Sequence, residues 1–251
     1  MKKVLVFLNC FILLAGVVFP QEIKTHDHTI SLNFLQIKEQ MNYGLAFKGP
    51  GLGYTYSAQW QNDARIFDYE GRISFNAVWT RDIVAPSLNL VPARFDYLFK
   101  TGADGKICIG PYAIMEYNYE LYPDLQSAYS FWFTHYSMGC ALTGWFNIKE
   151  SRIDLSLHVT AFGFTSRQPE IDDPYFYDAG FGTMIRNLHS DFRFGSLNLY
   201  NNTELELRWT PKPGSRLAFA YLYQYYAYTD EPTLKMINQS VKLIFLPTKN
   251  K

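Results

Sequence analysis

The sequence has no excess of charge of either sign, because its 251 residues include 23 Lys and Arg and 23 Asp and Glu. Proteins that bind nucleic acid by neutralising phosphates need a basic excess, so the balance excludes that class of partner. Cysteine is scarce as well, with Cys108 and Cys140 remaining once Cys10 of the apolar amino terminus is set aside. A secreted module stapled by disulfides is therefore excluded.

Long apolar runs are missing beyond the amino terminus. Lys2 and Lys3 precede one such run, from Val4 to Phe19, and a polar segment begins at Gln21. This pattern predicts a secretory signal peptide over 1–21, although no A-x-A-like triplet marks the cleavage site. An amino-terminal anchor helix is the alternative. We expect 22–40 to be a tail or an extra strand, and 41–247 to be a single barrel domain.

Helical periodicity is also missing between residues 41 and 245, where apolar and polar residues alternate strictly instead. The segments 152–161 and 202–209 separate completely into two faces, as a two-faced strand requires. Tight turns are predicted at 49–51, 62–63, 102–105, 149–151 and 212–215. The strands are predicted near 41–48, 52–61, 65–80, 87–100, 106–120, 128–148, 152–166, 199–210, 216–229 and 234–246.

Connection length alternates along the chain, with short turns at one end of the strands and longer segments at the other. The longer segments are 122–127, 167–198 and 229–233. Short turns at one end, long loops at the other and an even strand count are typical of a transmembrane β-barrel. We predict an all-β, antiparallel up-and-down barrel of about ten strands, with about eight or twelve as alternatives.

Alternation alone does not tell which face is outside, and a secreted β-sandwich or lipocalin-like barrel is the soluble alternative. One face of nearly every segment carries ionised groups, whereas the other is rich in Tyr, Phe and Trp, of which the chain has 19, 20 and 5. Tyr and Trp buried in a dry core each need a hydrogen-bond partner. At a lipid–water boundary their polar atoms stay hydrated, so we predict an exterior aromatic girdle.

The signal-like amino terminus and the aromatic-rich alternating strands resemble outer-membrane β-barrels of Gram-negative bacteria. The start at Gln21-Glu22 and the tyrosine content are similar to uncharacterised barrels of the Bacteroides group. The resemblance implies a location in the bacterial outer membrane with lipid as the surrounding partner. Such barrels often end on an aromatic residue, whereas here six residues follow Phe245.

A ten-stranded barrel has a lumen narrow enough for side chains to fill. Charges of both signs in such a space should pair, because an unpaired buried charge is costly. The predicted ion-pair network is Asp68, Glu70, Arg72, Arg94, Asp96, Glu116, Arg152, Asp154, Glu204, Glu206, Arg208 and Lys242. We therefore expect a filled lumen and a structural, binding or interaction role, with a narrow solute channel as an alternative and no cofactor or metal.

His135-Tyr136-Ser137 is the sharpest enzymatic candidate. It resembles the His-x-Ser pattern of outer-membrane phospholipases and lipid A deacylases, which implies His135 as base and Ser137 as nucleophile. Glu150 or Asn147 is the nearest candidate to orient the histidine. Parity along the strand, however, predicts that His135 and Ser137 face the lumen, whereas those enzymes act on lipid from the outer face.

Three further features are weaker. The long segment 167–198 is aromatic and is predicted to contact an extracellular ligand or protein. Within it, 172–173 and 189–191 contain the residue types of an outer-membrane protease, but their spacing matches poorly. The metal-binding alternative for 26–28 consists of two histidines and one aspartate in the predicted tail.

The two mature cysteines are predicted to be free thiols. Pairing of the strands at 106–120 and 128–148 would set Cys108 near Gly139 and Ile107 near Cys140. The two sulfurs would then lie on opposite faces of the sheet, which disulfide geometry does not allow.

Overall fold

The computed structural model describes residues 25–40, 44–102, 105–122, 129–167, 188–189, 191–231 and 233–247, without the side chains of 129 and 130. The predicted signal peptide, the acidic pair 172–173 and most of the aromatic part of 167–198 lie outside these residues.

The described chain forms eleven strands. They are β1 (Thr25–Glu39), β2 (Ala46–Gln61), β3 (Arg65–Thr80), β4 (Ile83–Thr101), β5 (Ile107–Tyr122), β6 (Tyr129–Ile148), β7 (Ser151–Arg167), β8 (Arg193–Ser196), β9 (Tyr200–Thr210), β10 (Leu217–Tyr228) and β11 (Leu234–Phe245). No helix in the described parts is long and apolar enough to cross a membrane.

The strands form a closed antiparallel barrel, which confirms the predicted fold class. Hydrogen-bonded neighbours follow the order β6-β5-β4-β3-β2-β1-β11-β10-β9-β7, and β6 pairs with β7 to complete the ring. The short strand β8 pairs with the upper part of β7, and β9 pairs with its lower part. Because β8 and β9 share one position, the wall has ten positions. We call the end with the long connections the upper end.

The barrel begins at β1, which corrects the predicted boundary at residue 41. β1 pairs with β2 on one side and β11 on the other, so of the tail and the extra strand expected within 22–40, residues 25–39 form the strand, and it closes the ring. The predicted turn at 49–51 is also wrong, because 46–61 is one continuous strand. A Cβ at Gly49 would lie 1.9 Å from the Ala77 carbonyl oxygen, so glycine there permits close approach of β3. The number of wall strands is still ten as predicted, because the added strand β1 compensates for the merging of the predicted strands 41–48 and 52–61 into β2.

The side chains alternate between the lumen and the exterior, with local interruptions. β-Bulges or register shifts lie between Glu70 and Arg72, between 90 and 93, and between 138 and 139. In β4 the parity therefore changes, so that Asn89 above the shift and Asp96 below it are both buried in the lumen.

The lumen is filled in three layers. A buried cluster of mostly aromatic and aliphatic residues occupies the upper end: Leu35, Ile37, Phe47, Val78, Ala85, Tyr122, Phe131, Phe133, Tyr200, Tyr226, Tyr228, Leu234 and Met236. A second cluster lies towards the lower end: Ile66, Val91, Leu98, Cys108, Tyr112, Ile114 and Ala141. Polar and charged side chains occupy the level between them.

Both cysteines are free, as predicted, although the predicted register is wrong. Cys108 pairs with Thr143 and Cys140 with Pro111, which is a shift of four residues from the expected alignment. Cys108 is buried in the lumen and Cys140 is exposed on the exterior. The expectation of opposite faces therefore agrees with the structure.

Candidate functional site

A cross-lumen ion-pair network, which we call the central network, lies at mid-height. Arg72 of β3 and Arg94 of β4 extend across the barrel to Glu204 of β9. Arg72 Nη2 lies 3.3 Å from Glu204 Oε1, and Arg94 Nη1 lies 3.0 Å from Glu204 Oε2. The arginines enter from adjacent strands on the opposite side of the ring, so the three side chains tie the two sides of the barrel together.

The central network continues along β4 and across to β7. Arg94 Nη2 lies 3.1 Å from Glu70 Oε2, and its Nε lies 3.7 Å from Asp96. Asp96 in turn lies 3.0 Å from His158 Nε2. These groups are largely shielded from solvent, and each is compensated by at least one partner of opposite charge or by a hydrogen bond, as burial of charge requires.

Most of the other predicted lumen residues fall into separate ion pairs, whereas Asp68 does not. Lys242 donates to Glu206 at 2.5 Å, and Arg152 donates to Asp154 at 2.5 Å near the lower rim, where half of the Arg152 side chain is exposed. Asp68 lies next to Asp96 on the neighbouring strand. Two further predicted residues have partners that the sequence reasoning missed.

Those missed partners are Asp27 and His135. Arg208 donates to Asp27 at 3.0 Å, and His135 Nε2 lies 2.7 Å from Glu116 Oε2. Asp27 was missed because residues 22–40, expected to be a tail or an extra strand, were left out of the predicted lumen face. The alternation of β1, which places Asp27 on the lumen face with Thr29 and Ser31, is the signal that could have found it.

The predicted catalytic pair belongs to a hydrogen-bonded chain in the lumen. His135 Nε2 bonds to Glu116 Oε2 at 2.7 Å, and His135 Nδ1 bonds to the Tyr200 hydroxyl. The Tyr200 hydroxyl donates to Ser137 Oγ at 3.1 Å. Asn89 also donates to Glu116, at 2.5 Å. The group that orients His135 is therefore Glu116, directly opposite on β5, and neither Glu150 nor Asn147.

The hydrogen-bonded chain of Glu116, His135, Tyr200 and Ser137 does not face the lipid that surrounds a membrane barrel. His135 and Ser137 are 1% and 3% exposed and point into the lumen, in agreement with strand parity. Glu150 and Asn147 lie exposed near the lower end of β6. The geometry therefore resembles a structural hydrogen-bond chain, because a serine nucleophile must reach its substrate.

The upper end of the lumen is capped by a charged pair above the aromatic cluster. Arg167 donates to Glu39 at 2.5 Å, and both side chains are buried. The guanidinium also lies over two rings, 5.6 Å from the centroid of Phe131 and 5.2 Å from that of Tyr228. Cation–π contact and ion pairing together hold the cap in place.

Part of the segment 167–198 packs on the exterior of the wall and does not cross the mouth. His189 Nε2 lies 3.1 Å from the Tyr117 hydroxyl, which also bonds to the Tyr136 hydroxyl at 2.7 Å. Phe192 stacks on Tyr136 with ring centroids 5.2 Å apart. A protease-type pairing of His189 with Asp191 across the mouth is therefore not what the structure shows.

The histidines of β1 do not form a metal site. His26 and His28 point outward, whereas Asp27 between them points inward to Arg208. His28 Nδ1 is instead 2.7 Å from the Tyr54 hydroxyl. Among the described residues no group of three His, Cys, Asp or Glu side chains is arranged to hold a metal ion.

The exterior of the wall is apolar. Large exposed side chains occur on every long strand, and the most exposed aliphatic ones are Leu32, Leu52 and Val241, at 64%, 61% and 59%. A wall that is apolar outside and charged inside has the inverse polarity of a soluble protein, and a closed barrel leaves no unpaired strand edge in lipid.

Comparison with known proteins finds fold likeness only. No protein-family model and no curated protein matches the chain. Three of the solved structures that are similar to the chain, all at low identity, are the following. The outer membrane protease OmpT of Escherichia coli is 8% identical and covers 92% of this chain and 99% of its own, at TM-score 0.46. The β-domain of the Bordetella autotransporter BrkA is 9% identical, with 88% and 99% covered, at 0.45. An outer membrane channel of Pseudomonas putida F1 is 8% identical, with 90% and 96% covered, at 0.42.

These neighbours differ in the roles that their names describe, so the likeness carries no argument about function. They are outer-membrane β-barrels of Gram-negative bacteria. The inverse polarity of its own closed wall is what places this chain in a membrane, and the barrel architecture is that of the bacterial outer membrane.

Proposed function

We propose that this protein is a non-conducting outer-membrane barrel, with a structural or interaction role carried out at its surfaces. Outer-membrane barrels with about 16–18 strands leave an aqueous channel, whereas small ones are filled by side chains. With ten wall positions this chain belongs to the small class. The role of the lumen on this proposal is to hold the wall rigid.

One observation carries the proposal, namely that side chains block the lumen at successive heights. The buried upper cluster lies beneath the Arg167–Glu39 pair, and the central network spans the barrel below it. A solute moving along the axis would have to break the ion pairs to Glu204 and displace the rings above them. Breaking buried ion pairs is strongly unfavourable, so this path is closed in the folded state.

Planar-bilayer recording tests the proposal. We expect the purified, folded protein to insert without stable conductance steps, because both the aromatic cluster and the central network block ion passage. A 16-stranded porin reconstituted in parallel is the control for insertion, and heat-modifiable migration on a gel verifies that the protein is folded. Reproducible open states of the folded protein would contradict the proposal and favour the narrow solute channel.

The exterior aromatic side chains support placement in a bilayer as an aromatic girdle. Trp209 stacks on Phe219 with centroids 5.7 Å apart, and Phe67 stacks on Phe95 at 5.8 Å, both towards the lower end. Rings of Tyr and Trp at both membrane boundaries are typical of these barrels. The girdle, the signal peptide over 1–21 and the similarity to Bacteroides barrels remain predictions from the sequence.

An interaction role is assigned to the segment between β7 and β9, at the upper end. Its described part exposes Phe194, Leu197 and Leu199, at 59%, 51% and 39%. Long connections at this end of outer-membrane barrels face the cell exterior. Exposed apolar side chains there are suited to contact with an extracellular ligand or protein.

A further inference from the structure

The exterior of the wall carries charge at very few places. Among the described residues of the ten long strands, four charged side chains face outward, and all four are basic. Arg65 lies at the lower end, where it donates to the Tyr97 hydroxyl at 2.8 Å. The other three are Lys38, Lys48 and Lys235, at the upper end, and we call them the lysine patch.

The lysine patch is compact because it lies on three consecutive strands. Lys38 of β1 is directly opposite Lys235 of β11. On the other side, β1 pairs with β2, with Gln36 opposite Lys48 and Lys38 opposite Ala46. Lys48 is therefore the diagonal neighbour of Lys38, a spacing of about 7–8 Å between Cα atoms, within reach of long side chains.

This arrangement is unfavourable for the isolated protein. Like charges directly opposite each other on neighbouring strands are destabilising. Within the described parts of the chain, the three ammonium groups have no carboxylate within ion-pair distance, in contrast to the charged groups of the lumen. An anion bound between the lysines would relieve the repulsion.

The wall below the patch is suited to acyl chains. Leu32 of β1 is opposite Leu52 of β2 and Val241 of β11, so the three most exposed aliphatic side chains form one row. Lys38 follows Leu32 by six residues, which is about 20 Å along a strand and about 15 Å along the membrane normal at the usual tilt.

The height of the patch matches a membrane boundary. Half of a hydrocarbon core is about 15 Å, so lysines at this height reach the headgroups when the Leu32 row lies near the midplane. On the same strand His26 lies as far below Leu32 as Lys38 lies above it. The outward face of β1 thus has polar side chains at both boundaries and apolar ones, Ile30 to Phe34, between them.

We propose that the lysine patch binds the phosphorylated headgroup of a lipid in the outer leaflet, while the row of Leu32, Leu52 and Val241 contacts its acyl chains. An anionic phosphate would neutralise the adjacent positive charges of Lys38 and Lys235. The long connections at the same end of the barrel identify the leaflet as the outer one.

A lipid is favoured over a soluble anion because of where the patch lies. The ammonium groups are on the side of the wall, above exposed aliphatic side chains, and not at the mouth of the lumen. A free phosphate would obtain favourable binding free energy from the lysines alone, whereas a phosphorylated lipid obtains it from both the lysines and the apolar row. This inference does not depend on whether the lumen conducts.

Native mass spectrometry of the folded protein, titrated with bisphosphorylated lipid A, tests the proposal. Lipid A with its phosphates removed and phosphatidylethanolamine are the lipid controls, and inorganic phosphate serves as a soluble competitor. We expect the phosphorylated lipid to bind at least about tenfold more tightly than its dephosphorylated form, as three lysines near anionic groups should give. Inorganic phosphate should not displace it.

The triple variant Lys38→Gln, Lys48→Gln, Lys235→Gln should lose this preference. The matched control is Lys149→Gln, Lys212→Gln, Arg216→Gln, which removes the same charge from exposed positions at the lower end and should bind like the wild type. Should the triple variant prove unfolded by gel migration, Lys48→Gln alone is expected to show a partial loss. Undiminished preference in a folded variant, equal binding of dephosphorylated lipid, or displacement by inorganic phosphate would each overturn the proposal.

Discussion

Replacing Glu204 with alanine is expected to lower the free energy of unfolding by about 3–5 kcal/mol, as removal of one partner from a buried ion pair does. Glu204 accepts from Arg72 at 3.3 Å and from Arg94 at 3.0 Å, and the variant leaves both arginines with fewer partners inside the lumen. Urea unfolding of the barrel in lipid vesicles, followed by tryptophan fluorescence and gel migration, measures the loss.

The control for this effect is Asp154→Ala, which also removes a carboxylate paired with an arginine. Half of the Arg152 side chain is exposed at the rim, so water replaces the lost partner, and we expect a loss below about 1 kcal/mol. Equal, small effects of both substitutions would mean that the lumen is hydrated and that the central network does not hold the wall together.

The substitution Gly110→Ala is expected to prevent folding of the barrel or to destabilise it by more than about 3 kcal/mol, beyond the usual cost of overpacking. An added Cβ would lie 1.9 Å from the Tyr97 carbonyl oxygen and 3.0 Å from the Leu98 Cα. These are backbone atoms of the neighbouring strand, so no side-chain rotation relieves the clash. The fraction of protein that migrates as the folded form after refolding into detergent gives the readout.

Gly144→Ala serves as the matched control for Gly110→Ala. A Cβ at Gly144 would have the Lys106 carbonyl oxygen at 3.8 Å as its nearest neighbour, which is an ordinary contact. This variant should fold like the wild type. Normal folding of both variants would contradict the register between β4 and β5.

Strand alternation, taken together with the aromatic content of one face, was sufficient to predict the barrel and the lumen face of most of its charged residues. The alternation of 152–161, for example, places Asp154 and His158 on one face, and both lie on the lumen side. The sequence pattern predicts the face because a one-residue shift in strand pairing would turn every charged side chain of that strand to the apolar exterior.

Strand boundaries and the pairing of side chains across the lumen could not be predicted from strand alternation. Gly49-Pro50-Gly51 has the composition of a turn, yet close approach between β2 and β3 is what requires the glycine at position 49. The contacts of Glu204 with Arg72 and Arg94 join residues more than 100 positions apart. Alternation along a strand does not indicate which side chains lie opposite each other across a closed barrel.

The packing of His189 and Phe192 on the exterior of β5 and β6 was also not predicted. The sequence shows that the segment is aromatic, but aromatic side chains suit the mouth and the outer wall equally well. The partner of His135 was missed for a similar reason, because Glu116 is adjacent only through strand pairing and not in sequence.

The central claim is that the apolar exterior meets lipid while charged groups pair in the lumen. It is tested most directly with a nitroxide at Leu52→Cys, an outward position on β2, in a Cys108→Ala, Cys140→Ala background. Collision rates with oxygen and with a water-soluble nickel chelate are measured in lipid vesicles, with Asp63→Cys in the exposed lower turn as the aqueous reference. The account predicts high oxygen and low nickel accessibility at Leu52, and nickel accessibility equal to that at Asp63 would contradict it.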